Sequence, residues 1–206
     1  MSGAERLRAA AAAATVGPAV WFAVMIVLGL AVPGYDTLTM PASALSLGSA
    51  GWVMIVNFVL LGAVEIAFAF ALWRVAESSG LGRAEAVLIG FAGACTLIAG
   101  PLITDPDDAL RTLHAQLHLA AVACAFAAVS AAAILVSRRG SATRGFAAFS
   151  LLTGLSVLPL FVISEAATPM LGVIQRAAVA IAFTWLTLLA LRMRAAIPPA
   201  ELRTRT

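Results

Sequence analysis

The chain is short of charge. Only 11% of its 206 residues are charged, and lysine is absent: the 13 basic residues are all arginine, set against 10 acids. Soluble domains carry about a quarter of their residues as charges, so an ordinary water-facing surface is excluded. Cysteine is nearly missing too, with only Cys95 and Cys124. Both fall in apolar stretches and read as small packing residues, not as a disulfide framework. Histidine is equally rare, the two being His114 and His118. There is no G-x-S-x-G nucleophile elbow and no glutamate completing an H-E-x-x-H motif, so neither signature of a serine hydrolase or zinc protease is present. No internal repeat suggests the inverted halves of a transporter.

Apolar sequence is what the chain has in quantity, at 62% hydrophobic residues and a mean hydropathy of +1.02. About 20 apolar residues cross the ~30 Å hydrocarbon core of a bilayer as a helix. Six stretches approach that length: Ala14–Val32, Gly51–Leu72, Ala86–Ile103, Leu113–Val136, Phe146–Ile163 and Val173–Leu191. The expectation is an all-α integral membrane protein, a single domain over 1–206 built as one bundle of six transmembrane helices. Short loops favour antiparallel neighbours. Alanines along the fourth span, and Gly90, Gly93 and Ala94 in the third, suit close helix packing in lipid. Pro159 predicts a kink in the fifth span.

The arginines give the orientation. Arg6, Arg8, Arg74, Arg83, Arg138, Arg139, Arg144, Arg192, Arg194, Arg203 and Arg205 all fall on one side of this topology, leaving Arg111 and Arg176 on the other. Translocation of short loops disfavours arginine, so the rich side, with both termini, is expected in the cytoplasm. Arg6 and Arg8 before an apolar run resemble the start of a signal peptide. The run is too long for one and lacks a small-x-small cleavage site, so a retained anchor is expected. The pI is about 9.7, yet the arginines form no stripe, so lipid headgroups and not nucleic acid are the expected partners. Arginine without lysine, together with abundant alanine, suggests the plasma membrane of a bacterium with a GC-rich genome.

Polar residues concentrate on the opposite, outer side. His114 and His118 open the fourth span at i, i+4 spacing, after the acidic run Thr104-Asp105-Pro106-Asp107-Asp108. Such spacing places two imidazoles one turn apart, suitable for a zinc ion that takes a carboxylate as well. Interfacial histidines bonded to loop carboxylates or water are the competing reading. Asp107 and Asp108 read as solvated loop residues. The loop from Pro33 to Ala50 holds Asp36 and Ser43 and is long enough to fold over the mouth of the bundle. Arg176, next to Gln175, enters the sixth span and is expected to pair with Asp36 or Asp105, since a charge at helix depth is costly alone. Asn57, Leu61 and Glu65 share one stripe of the second span, and an intramembrane acid is a functional candidate by default.

Together these pieces resemble the prokaryotic membrane family known as domain of unknown function 998. The resemblance rests on Pro33-Gly34-Tyr35-Asp36, Ser43-Ala44-Leu45-Ser46-Leu47-Gly48, and Gly51-Trp52 leading to Asn57-Phe58 and Gly62. It continues through Thr104-Asp105-Pro106, the His114/His118 pair and Gln175-Arg176. One departure is Ala115, where members often carry glycine after the first histidine. The resemblance implies six helices with signature residues on the outer side, and no reaction. More distantly it is similar to eukaryotic six-helix proteins that remodel lipid anchors, and to membrane hydrolases holding zinc by three histidines and an aspartate. With two histidines, this chain would need Asp36 or Asp105 as substitute ligands.

Three functions are therefore compatible with the sequence. One is a protein whose outer polar site binds a lipid, a membrane protein partner or a second copy of itself. Another is a metal-assisted lipid hydrolase using His114 and His118 to hold zinc and activate water. The third is a small proton-coupled transporter using Glu65 and the histidines.

Overall fold

The computed structural model describes residues 2–106, 111–166 and 169–197. Asp107, Asp108, Arg203 and Arg205 lie outside the described residues. Among those described, the chain is all-α with no strand. It runs α1 Gly3–Ala31, a 3-10 turn Ala42–Ser46, α2 Gly51–Ser79, α3 Arg83–Ala99, α4 Leu113–Ser137, α5 Arg144–Glu165 and α6 Leu171–Ala196.

Local chemistry sets several of these boundaries. α1 starts well before its apolar run because Ser2 and Glu5 form a capping box, each side chain bonding the other's backbone N–H. α4 is capped by Thr112, whose hydroxyl accepts from the Ala115 N–H at 3.2 Å. α3 ends at Ala99, short of the expected Ile103, because Gly100-Pro101 does not continue a helix. Its 17 residues extend about 26 Å at 1.5 Å per residue. The other five helices are long and apolar enough to cross a membrane by length and composition. α5 is continuous through Pro159, as α1 is through Pro18.

Each helix packs on its neighbour in sequence, and α1 closes against α6, so the six form a ring. The outward surface is apolar: Leu30 is 85% exposed, Val27 and Leu152 64%, and Phe70 61%. That exterior belongs in hydrocarbon, while the polar side chains Asn57, Glu65, His118 and Gln175 are buried.

Close helix approach is clearest between α2 and α3. A Cβ on Gly93 would sit 2.8 Å from the Glu65 Cβ and 2.9 Å from the Gly62 carbonyl oxygen. Only glycine lets the two backbones meet there, the small-residue packing expected of α3. Both cysteines are free thiols, Cys95 buried and Cys124 exposed.

The half of the ring nearer the termini is built on a buried apolar cluster. Phe68, Leu72, Val136, Trp185 and Leu189 are at most 1% exposed and form one cluster. At its edge Glu85, fully buried, takes a two-pronged bond from Arg139, Nε to Oε1 at 2.6 Å and Nη2 to Oε2 at 3.0 Å. This pair ties the start of α3 to the α4–α5 connection. All described arginines except Arg111 and Arg176 lie at this end.

The other end is closed differently. The segment between α1 and α2 turns inward, and its 3-10 turn packs on α1, α2 and α6 with Ala42, Ser43, Leu45 and Ser46 buried. The expected loop over the mouth of the bundle is therefore a plug seated in it.

Candidate functional site

Between the plug and this apolar cluster lies a chamber of roughly 90 Å³. Its polar lining is Ser43 from the plug, Glu65 from α2, Thr96 from α3, and His118 and Gln175 from α4 and α6. Trp21, Phe58, Phe126 and Phe183 supply ring walls. A smaller pocket shares Ser43, His118 and Gln175 with it and reaches Thr104 and Glu165 towards the loops. Along α4 the chamber runs from His118 to Val129, and along α6 from Gln175 to Leu186, roughly 16 Å at the helical rise.

Two buried polar atoms in this lining have no hydrogen-bond partner: the indole Nε1 of Trp21 and Oε2 of Glu65. Trp21 is 3% exposed and Glu65 5%. Such atoms normally find partners, because a buried orphan costs about 1–3 kcal/mol. The second deeply buried indole does: Trp185 Nε1 donates to Ser150 Oγ at 3.0 Å. Thr96 lies within hydrogen-bonding reach of the Glu65 carboxyl and donates its own hydroxyl proton to the Ala92 carbonyl at 3.0 Å.

His118 enters the chamber with its Nδ1 2.9 Å from the Ala99 carbonyl oxygen. Gln175 Oε1 accepts the Ala42 N–H at 2.9 Å, anchoring the plug to α6. Asn57, although on the same stripe as Leu61 and Glu65, donates Nδ2 to the Trp21 carbonyl at 3.1 Å and contacts Met54 Sδ at 3.7 Å. It fastens α1 to α2 and does not line the chamber. All three stripe residues are buried, as their spacing predicts.

The expected ion pair of Arg176 is not formed. Its Nη1 donates to the carbonyls of Thr37 at 2.8 Å, Met40 at 3.1 Å and Gly172 at 2.7 Å, and its Nη2 donates to the Tyr35 hydroxyl. Gly172 makes room, since a Cβ there would lie 2.6 Å from the Met40 carbonyl oxygen. Burial pushes the Tyr35 phenol up from its ordinary value, opposed by the Arg176 charge.

The two aspartates are committed elsewhere. Asp36 accepts from the Leu38 N–H and the Thr39 hydroxyl, both at 2.9 Å, which hold its carboxyl below the usual range. Asp105 accepts the Thr112 N–H at 2.7 Å, the Thr112 hydroxyl at 2.9 Å and the Arg111 N–H at 2.6 Å. These bonds, that of the Thr112 N–H foremost, hold its carboxyl down. Both carboxylates thus fold their own loops.

His114 is exposed in the first turn of α4, whereas His118 is buried. Among the described residues no three His, Cys, Asp or Glu side chains cluster closely enough to hold a metal ion. Of the residues singled out in the sequence, Ser43, Glu65, His118 and Gln175 meet in the chamber. Asn57 and Arg176 fasten the segments around it, whereas Asp36, Asp105 and the exposed His114 lie outside its lining. Trp21 and Thr96 were not anticipated; a threonine inside the third apolar stretch was the available signal, and the indole N–H of Trp21 gave none.

No curated protein and no solved structure matches the chain. A family model described as protein of unknown function (DUF998) matches residues 15–192. Covering most of the sequence and reaching into all six helices of a multi-pass membrane protein, that match places the chain in the DUF998 family.

Proposed function

We propose that the protein binds a membrane-borne amphiphile in the chamber beneath the plug, on the outer side of a six-span bundle with cytoplasmic termini. The observation that carries this reading is the pair of orphaned polar atoms, Trp21 Nε1 and Glu65 Oε2, in a largely apolar chamber. Ligand pockets commonly combine apolar walls with a few convergent polar groups. The buried apolar cluster below the chamber favours binding over transport, because a through-path would have to pass Phe68, Leu72, Trp185 and Leu189. Hydrolysis by a metal-bound water has less support, since His114 and His118 gather no third ligand among the described residues.

The test is to fill the chamber. Ala182 lines it and is 4% exposed, so Ala182→Phe should displace the occupant. Wild type and variant, purified in mild detergent, are compared by native mass spectrometry and by lipid extraction. The expected result is a small amphiphile retained by the wild type and depleted in a still-folded variant. Identical bound material in both would defeat the proposal.

A further inference from the structure

We infer that the chamber selects amphiphiles carrying one positive charge, an alkylammonium or quaternary ammonium headgroup. This rests on reading the chamber as a ligand site and adds the chemical class of its occupant.

The charge inventory leads there. Around the chamber, α1 contributes Trp21, the plug Ser43, α2 Glu65, α3 Thr96, α4 His118 and α6 Gln175. Glu65 is the only acid among these lining residues, and no arginine is among them. Arg176, beside Gln175 on α6, spends both Nη groups on the Thr37, Met40 and Gly172 carbonyls and on Tyr35. It holds the plug in place instead of neutralising the acid. The His118 ring turns its Nδ1 to Ala99. Glu65 is therefore a buried acid with one oxygen unpartnered and no arginine of this protein among the lining residues.

A buried carboxylate is strongly favoured by an opposite charge brought to it in low dielectric. The walls reinforce that sign. Trp21 packs edge to face with Phe58 at 5.5 Å and with Phe183 at 5.4 Å between ring centroids, and Phe126 joins them in the lining. Aromatic faces attract ammonium groups, most strongly when desolvated. Beyond Glu65 the lining is apolar down to Val129 and Leu186, and at roughly 90 Å³ the chamber admits the headgroup and first carbons of a single alkyl chain.

Three probes of one chain length separate charge from hydrophobicity: decylammonium, decanol and decanoate. Each is titrated against the full-length protein in lipid nanodiscs, with bound probe counted by native mass spectrometry and empty discs as reference. Decylammonium should bind the wild type about tenfold or more tightly than decanol, equivalent to one new ionic contact, and decanoate least. Glu65→Gln, which keeps the side-chain shape, should abolish that preference while still binding decanol, which also reports that the chamber is intact. Equal binding of decylammonium and decanol to the wild type would overturn the cation selectivity and leave the chamber as a ligand site. So would a preference that survives in Glu65→Gln. Binding of none of the three probes would overturn both readings.

Discussion

The Nδ1 of His118 lies 2.9 Å from the carbonyl oxygen of Ala99, the last residue of α3. Since a carbonyl can only accept, Nδ1 carries the proton. The contact joins α4 to a helix end whose final carbonyls lack partners within the helix. Removing it in His118→Ala should cost about 1–3 kcal/mol, the penalty for stranding a buried acceptor. His114→Ala, at an exposed position, should change stability by no more than about 0.5 kcal/mol. Thermal unfolding of the two variants in the same detergent measures the contrast, and equal effects would contradict this assignment.

Arg176 should resist even conservative replacement. Its guanidinium reaches three carbonyls and one phenol at once, a spread that the single ammonium of lysine does not reproduce. Arg176→Lys is expected to speed hydrogen exchange and proteolysis over residues 33–41, with Tyr35→Phe giving a smaller effect in the same direction. Unchanged protection in Arg176→Lys would mean that the plug is held by other contacts.

Gly93 and Gly145 offer a paired test of packing. Alanine at Gly93 would overlap Glu65 and the Gly62 backbone, and overpacking of this kind costs about 1–3 kcal/mol. Alanine at Gly145 meets nothing within 4 Å and should be neutral or stabilising by up to about 1 kcal/mol from helix propensity. Melting temperatures of the two single variants, moving in opposite directions, are the expected outcome.

Asp105 makes the entry to α4 sensitive to acid. Its carboxyl is held below its ordinary range chiefly by the Thr112 N–H, then by the Thr112 hydroxyl and the Arg111 N–H. A folded pKa below the unfolded value, about 3.9, means that this support is fully present above that value. It is lost as pH falls through the lower, folded pKa. Protection of the Arg111 and Thr112 amides, corrected for intrinsic exchange, should therefore fall below about pH 4. Asp105→Asn should weaken that protection at neutral pH and remove its acid dependence.

Residues whose environment is set by their own helix were the most legible in the sequence. Asn57, Leu61 and Glu65 were expected on one buried stripe, and all three are buried, because helical periodicity alone fixes which side they share. Periodicity did not settle the depth of His114 and His118: the ring in the first turn of α4 is exposed and the one a turn later is buried. Arg176 was recognised as needing compensation, but its partners are backbone carbonyls placed by the fold of another segment, which side-chain types do not encode. Trp21 was hidden for a different reason. Its indole counts as apolar in any hydropathy pattern, and its unpartnered N–H becomes visible only once Phe22, Phe58 and Phe183 surround the ring.

The closure of α1 against α6 has a consequence for biogenesis. Five of the six seams in the ring join helices made consecutively, whereas the last joins the first helix synthesised to the final one. Until α6 emerges, the chamber lacks the wall from Gln175 to Leu186, the plug lacks its Arg176 anchor, and the side of α2 that bears Glu65 has no α6 opposite it. A nascent chain paused before Leu171 would thus leave an acid open to lipid or to the insertion machinery. Truncation there should give a species bound by membrane quality control, not a smaller working version of the protein.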